Sequence, residues 1–178
     1  MPKVQIRTAI ATDIPHLPNI EHQSETETVW RMSWAENGAF GAYFQPVPLP
    51  RPLKLAYPRD PQRLLDEWHK LGLVLVADYD GLPIAYLSGD IQRVDGTLWL
   101  TDLVVDEAWR RKGVASALVL TAGEWGLEQG LSQMVLEASF RNHPAIALAR
   151  KLGFTFSGFH YNYYPNDDAA LFFTLPLT

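Results

Sequence analysis

Two Asp-Gly pairs, Asp80-Gly81 and Asp95-Gly96, fall between three successive runs of strand-forming residues. Such pairs suit the backbone of a tight hairpin turn. Leu73–Tyr79, Leu82–Gln92 and Leu98–Val105 are therefore predicted to fold back on one another as an antiparallel meander. The segments on either side of this meander decide the fold class.

Before it, Lys3–Ala9 alternates polar and apolar residues and reads as a strand. Asp13 is placed to cap a helix running to about Ser24, its start limited by Pro15 and Pro18. Asp60-Pro61 opens another helix, with Leu64, Leu65, Trp68 and Leu71 on one face and Gly72 at its end. After the meander, Val114–Gln129 has helical spacing and Gly130 closes it. Gln133–Ala138 reads as a short strand and Pro144–Leu152 as a helix stopped by Gly153. Phe154–Tyr161 and Ala169–Leu175 read as aromatic-rich strands joined by the turn Pro165-Asn166-Asp167-Asp168. This string is that of a mixed α/β (α+β) fold. Residues 24–60 give the weakest pattern. Pro46, Pro48, Pro50, Pro52 and Pro58 predict an extended or irregular loop over 46–58, of a length more often functional or lid-like than merely connecting.

At 178 residues, 47% of them hydrophobic, the chain has the length and apolar content of one domain spanning 1–178. No repeat is detectable. A formal charge of -5 argues against nucleic acid as the main partner. The absence of cysteine excludes a thiol nucleophile, a thiolate metal site and a disulfide. His16, His22, His69 and His143 lack metal-ligand spacing and read as surface or capping residues, so no metal is expected. No apolar run approaches membrane-spanning length and the N-terminal residues do not read as a targeting peptide. A cytoplasmic protein is the expectation.

The segment Val104-Val105-Asp106-Glu107-Ala108-Trp109-Arg110-Arg111-Lys112-Gly113-Val114-Ala115 leaves a strand, passes three basic residues and a glycine, and enters a helix. A helix start presents unpaired N–H groups and a partial positive charge, which bind phosphate. Small residues at Gly113 and Ala115 let a diphosphate approach those amides. Arg110, Arg111 and Lys112 add side-chain charge. The alternative is a solvated basic loop before an ordinary helix. The segment is neither a P-loop nor a dinucleotide fingerprint. Further on, Asn142-His143-Pro144-Ala145 is placed to cap the following helix. Asn142 either caps alone, or also bonds a ligand.

Taken together, these segments resemble the R/Q-x-x-G-x-G/A and N-x-x-A-x-x-L-Y-x-x-x-G-F motifs of the GCN5-related N-acetyltransferases (GNAT). The order of elements from Leu73 to Leu175 is also similar to that family's core. The resemblance implies a GNAT fold, a mixed, mostly antiparallel central sheet flanked by helices, with 24–60 as its variable part. It implies acetyl-coenzyme A as cosubstrate. The strand Leu98–Val105 would carry the family's bulge and splay from Gln133–Ala138. The cofactor would then touch Leu103, Val104, Val105 and the turn Arg110, Arg111, Lys112, Gly113, Val114, Ala115 and Ser116, together with Asn142 and Ala145. An amine of a small molecule or peptide would attack the thioester directly. The alternative is a degenerate domain that binds acetyl-CoA as a sensor. The region from Thr101 to Glu137 and the final strand pair are also similar to streptothricin acetyltransferases, which act on a β-lysyl amine.

The attacking amine must lose a proton, so a base or a water chain is needed. Asp102 and Glu137 are the candidate carboxylates; each also reads as a plain structural or solvated group. Ala149 stands where the family pattern carries a Tyr that reprotonates the thiolate. Tyr164 is the preferred substitute, with His160, Tyr161 and Tyr163 as alternatives and water as a third route. Trp30 and Trp34 are candidates for an acceptor pocket. A homodimer is compatible with this reading.

Overall fold

The computed structural model describes residues 3–92 and 96–178. Asp95, of the second predicted turn, lies outside them. The elements in chain order are β1 (Gln5–Thr8), β2 (Ser24–Trp34), β3 (Ala42–Leu55), α1 (Arg63–Glu67), β4 (Leu73–Tyr79), β5 (Leu82–Gln92), β6 (Thr97–Val105), α2 (Val114–Glu128), β7 (Gln133–Ser139), α3 (His143–Lys151), β8 (Thr155–His160) and β9 (Ala170–Pro176). Hydrogen bonding joins seven strands in the order β1-β4-β5-β6-β7-β9-β8, and β2 and β3 form a separate pair. The fold class is the mixed α/β arrangement expected. Contacts group the chain into two compact units, residues 1–22, 59–136 and 174–178, and residues 23–58 and 137–173.

In the first unit, β4, β5 and β6 are the predicted meander. Tyr79 pairs with Leu82, and both turn residues between them, Asp80 and Gly81, have positive φ (54° and 82°), as a two-residue hairpin requires. β6 runs antiparallel to β5 and parallel to the start of β7. β4 is buried from Leu73 to Ala77, and α2 covers β1, β4, β5 and β6 with Leu118, Val119 and Ala122. Burying a Leu or Val side chain stabilises by about 1.5–3 kcal/mol, so this layer holds the unit together.

The predicted helix after Asp13 is only a 3-10 turn, Ile14–Asn19. Pro18 lacks the amide donor that an α-helical bond back to Ile14 would need, whereas Pro15, in the first turn, costs no such bond. Asp13 makes no side-chain cap there. Its carboxylate accepts two bonds from Arg7, at 2.6 and 2.9 Å, and one from the Ile10 amide. The Arg7 guanidinium holds the Asp13 carboxyl below its usual pKa, and Arg7 also reaches Asp78 on β4 at 2.8 Å. The helix expected from Asp60-Pro61 starts later and is shorter: α1 begins at Arg63 with Gln62 at its N-cap and no side-chain cap, and Asp60-Pro61 form the turn before it. Asp60 accepts from the Gln62 amide, and α1 runs five residues before a further 3-10 turn at Trp68–Lys70. Leu64 is buried, but Leu65, assigned to the same face, is exposed.

In the second unit, the expected loop over 46–58 is instead largely the long strand β3. It pairs with β2 in a continuous register from Trp34↔Ala42 to Thr28↔Pro48. Pro46 opposes Trp30 and Pro48 opposes Thr28. Prolines two residues apart turn their missing N–H to the same side, so the bonds to β2 come from the intervening residues. Beyond Pro48 the register jumps to Thr26↔Leu53, which throws residues 49–52 out as a bulge. α3 packs on β2: the Trp30 indole N–H donates to His143 Nδ1 at 3.1 Å, and the Arg150 guanidinium lies 5.9 Å from the Trp30 ring. Phe44 of β3 meets Phe156 and Phe159 of β8 at ring separations of 5.9 and 5.3 Å.

Candidate functional site

The strand-to-helix junction begins where Asp106 accepts from the Ala108 amide at 3.1 Å and starts a 3-10 turn at Glu107–Trp109. Arg111 and Gly113 both take left-handed backbone, with φ of 62° and 85°. The first bond of α2 runs from the Ala117 amide to the Gly113 carbonyl at 3.0 Å. The amides of Val114, Ala115 and Ser116 precede it and point out of the helix start. A Cβ built on Gly113 would meet no atom within 4 Å, so no neighbouring group crowds this position at the helix start. Outward N–H groups, the positive end of a 15-residue helix and the exposed Arg111 and Lys112 fit a diphosphate.

Arg110 behaves differently from its neighbours. Its Nε donates to the Val105 carbonyl at 2.9 Å and its Nη2 to the Glu21 carbonyl at 2.7 Å. It ties the turn to the strand and to the chain before β2. Lys112 stands 5.3 Å from the Trp109 ring, which in turn meets Tyr79 at 4.6 Å.

β6 carries the predicted bulge. Ser88 of β5 pairs with Asp102 and Gly89 with Leu100, so Thr101 is the extra residue. The parallel register with β7 runs from Thr97↔Gln133 to Leu100↔Leu136 and stops one residue before that bulge. Leu103, Val104 and Val105 follow, with Val104 buried and the other two half-buried. The Asp102 side chain is 1% exposed and Arg63 Nη2 reaches both its oxygens, at 2.8 and 2.6 Å. The Ser88 hydroxyl also donates to it. This is the structural-partner environment: a buried carboxylate neutralised by a cation.

In the second unit, two predicted proton carriers come together. Tyr164 donates its phenol O–H to Glu137 Oε1 at 3.0 Å, and Tyr163 donates to Oε2 at 2.9 Å. Tyr164 is buried, while Tyr163 is exposed and packs edge-on against both His160 and Tyr164. Tyr161 lies instead against Trp34, at 5.5 Å between rings. Asn142 caps α3, accepting from the Ala145 amide at 3.2 Å. Ala149 is fully buried.

Sequence reasoning missed three participants. Arg63, on a short helix, pairs with Asp102; a lone Asp inside an apolar strand was the signal that a cation had to be nearby. Arg59 donates to the Thr101 carbonyl at 2.8 Å. His22, expected at the surface, is half-buried. The Ile20 carbonyl can only accept, so His22 Nδ1 carries the proton there and Nε2 accepts from the fully buried Tyr86 hydroxyl at 2.8 Å. Burial holds the imidazole below its usual pKa of 6.5.

A bulged central strand feeding an amide-lined helix start within a mixed sheet defines a class of acyl-CoA-binding folds. The profile of the acetyltransferase (GNAT) family matches residues 30–154, and the chain belongs to that family. The crystal structure of a nourseothricin acetyltransferase superposes with a TM-score of 0.84 at 26% identity, covering 98% of this chain and 99% of the other. A Bacillus anthracis str. Ames protein assigned as a streptothricin acetyltransferase, crystallised with acetyl coenzyme A, shares the fold at a TM-score of 0.77 and 18% identity, over 99% of this chain and 98% of the other. The N-alpha-acetyltransferase MAK3 of Arabidopsis thaliana is 38% identical over 68 residues, 38% of this chain and 36% of that protein. The chain therefore aligns with about a third of the length of that curated relative. Among the described residues, no helix is long and apolar enough to cross a membrane.

Proposed function

We propose that the chain transfers an acetyl group from acetyl-CoA to an amine of a small cationic molecule of the streptothricin class. The observation that carries this reading is the helix start at Val114–Ser116, preceded by the uncrowded, left-handed Gly113. The likeness to nourseothricin acetyltransferase over nearly the whole chain supports the acceptor class.

In the first unit, the amides of Val114, Ala115 and Ser116 would hold the diphosphate, with Arg111 and Lys112 adding charge. Arg110 would act by holding the turn. Leu103, Val104 and Val105 would border the pantetheine arm. Acetyl-CoA supplies an activated acyl thioester. In the second unit, Glu137 would accept the proton of the attacking amine, and Tyr164 would supply one to the departing thiolate. A phenol and a carboxylate sharing a hydrogen bond are suited to that exchange. Asp102, clamped by Arg63, would keep β6 in shape rather than act as the base. Asn142 would fix α3, with Ala145 on its first turn. Ala149, standing where the family pattern carries a Tyr, is the feature that favours a sensor without turnover, and the Tyr164–Glu137 pair offers a substitute for that Tyr.

A second reading takes the N-terminal amine of a peptide as acceptor. The 38% identity to an N-alpha-acetyltransferase over 68 residues favours it. Thiol release from acetyl-CoA, followed with nourseothricin, simple diamines and short peptides, separates the two. Turnover on nourseothricin supports the first reading. Turnover on peptides alone overturns it in favour of the second, and no release on any acceptor overturns both.

A further inference from the structure

Thr101 is the residue by which β6 outnumbers β5, and several neighbours fasten it. Ser88 Oγ and Thr101 Oγ1 lie 3.0 Å apart. The Ser88 hydroxyl also binds the Asp102 carboxylate, which Arg63 holds from α1. Arg59, four residues earlier, donates Nη1 to the Thr101 carbonyl at 2.8 Å. Opposite the bulge sits Gly89, where a Cβ would stand 3.2 Å from the Trp99 carbonyl oxygen. A side chain on β5 there would be tight, and the facing strand would have to give by a few tenths of an ångström. Two guanidiniums and a hydroxyl act on the two consecutive residues Thr101 and Asp102, and Gly89 lies against the residues just before them.

A bulge breaks the ladder and has a competitor: the in-register strand, which would carry every later side chain to the opposite face. Thr101 is where that choice is made, and Leu103, Val104 and Val105 inherit it. A bond from a cationic donor to the bulged carbonyl favours the bulged register, because only there does that carbonyl face Arg59.

We propose that Arg59 is a positioning residue: its bond to the Thr101 carbonyl, beside the Arg63–Asp102 pair, holds the β6 bulge and so sets the backbone of Leu103–Val105 for acetyl transfer. The functional half of this statement rests on the acetyltransferase reading above. The structural half does not.

The test compares Arg59→Ala and Arg59→Lys with the parent protein. Amide hydrogen exchange reads the bulge directly. Arg59→Ala is expected to speed exchange across Thr101–Val105 by about tenfold, with α2 unchanged. Thiol-release kinetics read its use: kcat falls by up to about 100-fold, as misplacement of reacting groups does, while KM for acetyl-CoA holds because the Gly113 cradle is untouched. Arg59→Lys, which keeps a donor for one carbonyl, recovers part of both. Unchanged exchange with unchanged kcat overturns the proposal, as does faster exchange with full kcat, since the bulge would then not matter to transfer. If the parent protein releases no thiol, the acetyltransferase reading fails, and the exchange arm still decides whether Arg59 holds the bulge.

Discussion

Tyr164 and Glu137 share a 3.0 Å hydrogen bond, phenol O–H to Oε1, in a pair that neither residue's neighbours in sequence would suggest. Tyr164→Phe deletes that proton and keeps the ring. With Tyr164 as the thiolate's acid, kcat for thiol release should fall by about 10²–10⁴ with little change in acetyl-CoA affinity. Tyr163→Phe removes an exposed phenol and should cost less. Full kcat in Tyr164→Phe would remove Tyr164 from the mechanism and leave water as the acid.

Gly113 has φ of 85° and open space where a side chain would go. Gly113→Ala should cost about 1–2 kcal/mol of stability from left-handed strain. Gly113→Glu adds bulk and a negative charge in front of the Val114–Ser116 amides. Coenzyme A affinity by calorimetry should drop below detection in Gly113→Glu while Gly113→Ala still binds. Equal affinities in Gly113→Glu and the parent would remove the diphosphate from this junction.

Arg63 and Asp102 form a pair in which the acid's side chain is 1% exposed. Taking away one partner leaves a buried charge uncompensated. Arg63→Met should therefore cost about 3–5 kcal/mol in denaturant unfolding. Adding Asp102→Asn should recover part of that loss, because an amide in the same place carries no charge. A loss in Arg63→Met below about 1 kcal/mol would mean that water or another cation already serves Asp102.

The meander was legible because Asp80-Gly81 specifies a turn that only a few residue pairs can make, and the strands beside it are continuous apolar runs. The strand-to-helix turn at Gly113 was legible for a related reason: a glycine suits its φ of 85°, and a helical pattern follows at once. β2 and β3 were not legible. Proline is read as a strand breaker, yet Pro46 and Pro48 sit at positions whose amides are not needed by β2. Nothing local separates that pattern from a loop. The partners of Asp102 and Glu137 were hidden for another reason. They lie 39 and 27 residues away along the chain, and hydrogen bonds at such separations leave no period in a sequence.

His22 supplies the pH dependence. Burial lowers its pKa in the folded chain below 6.5, so the folded state resists a proton that the unfolded state takes. The contribution is intact above about pH 6.5 and is lost as pH falls below that value toward the lower folded pKa. Melting temperature should therefore decline between neutral pH and mildly acidic pH. His22→Gln, which can still bond Tyr86, should flatten that decline. A parent whose melting temperature is level over the window would contradict the buried neutral imidazole.

Pro46 and Pro48 bear on solubility rather than catalysis. β2 and β3 form their own two-stranded sheet, so β3 has an unpaired side within it. An open edge with alternating donors and acceptors recruits other strands, and prolines facing that edge remove the donors. Pro46→Thr together with Pro48→Thr restores two amides on that side and adds two residues of high β-propensity. Pairing with β2 should survive, because its bonds come from Gln45 and Val47. The double variant should keep the parent's melting temperature at low concentration, yet scatter more light than the parent as concentration rises. Each single variant should lie between it and the parent. A double variant that scatters like the parent at every concentration would mean that those two positions do not face an open edge.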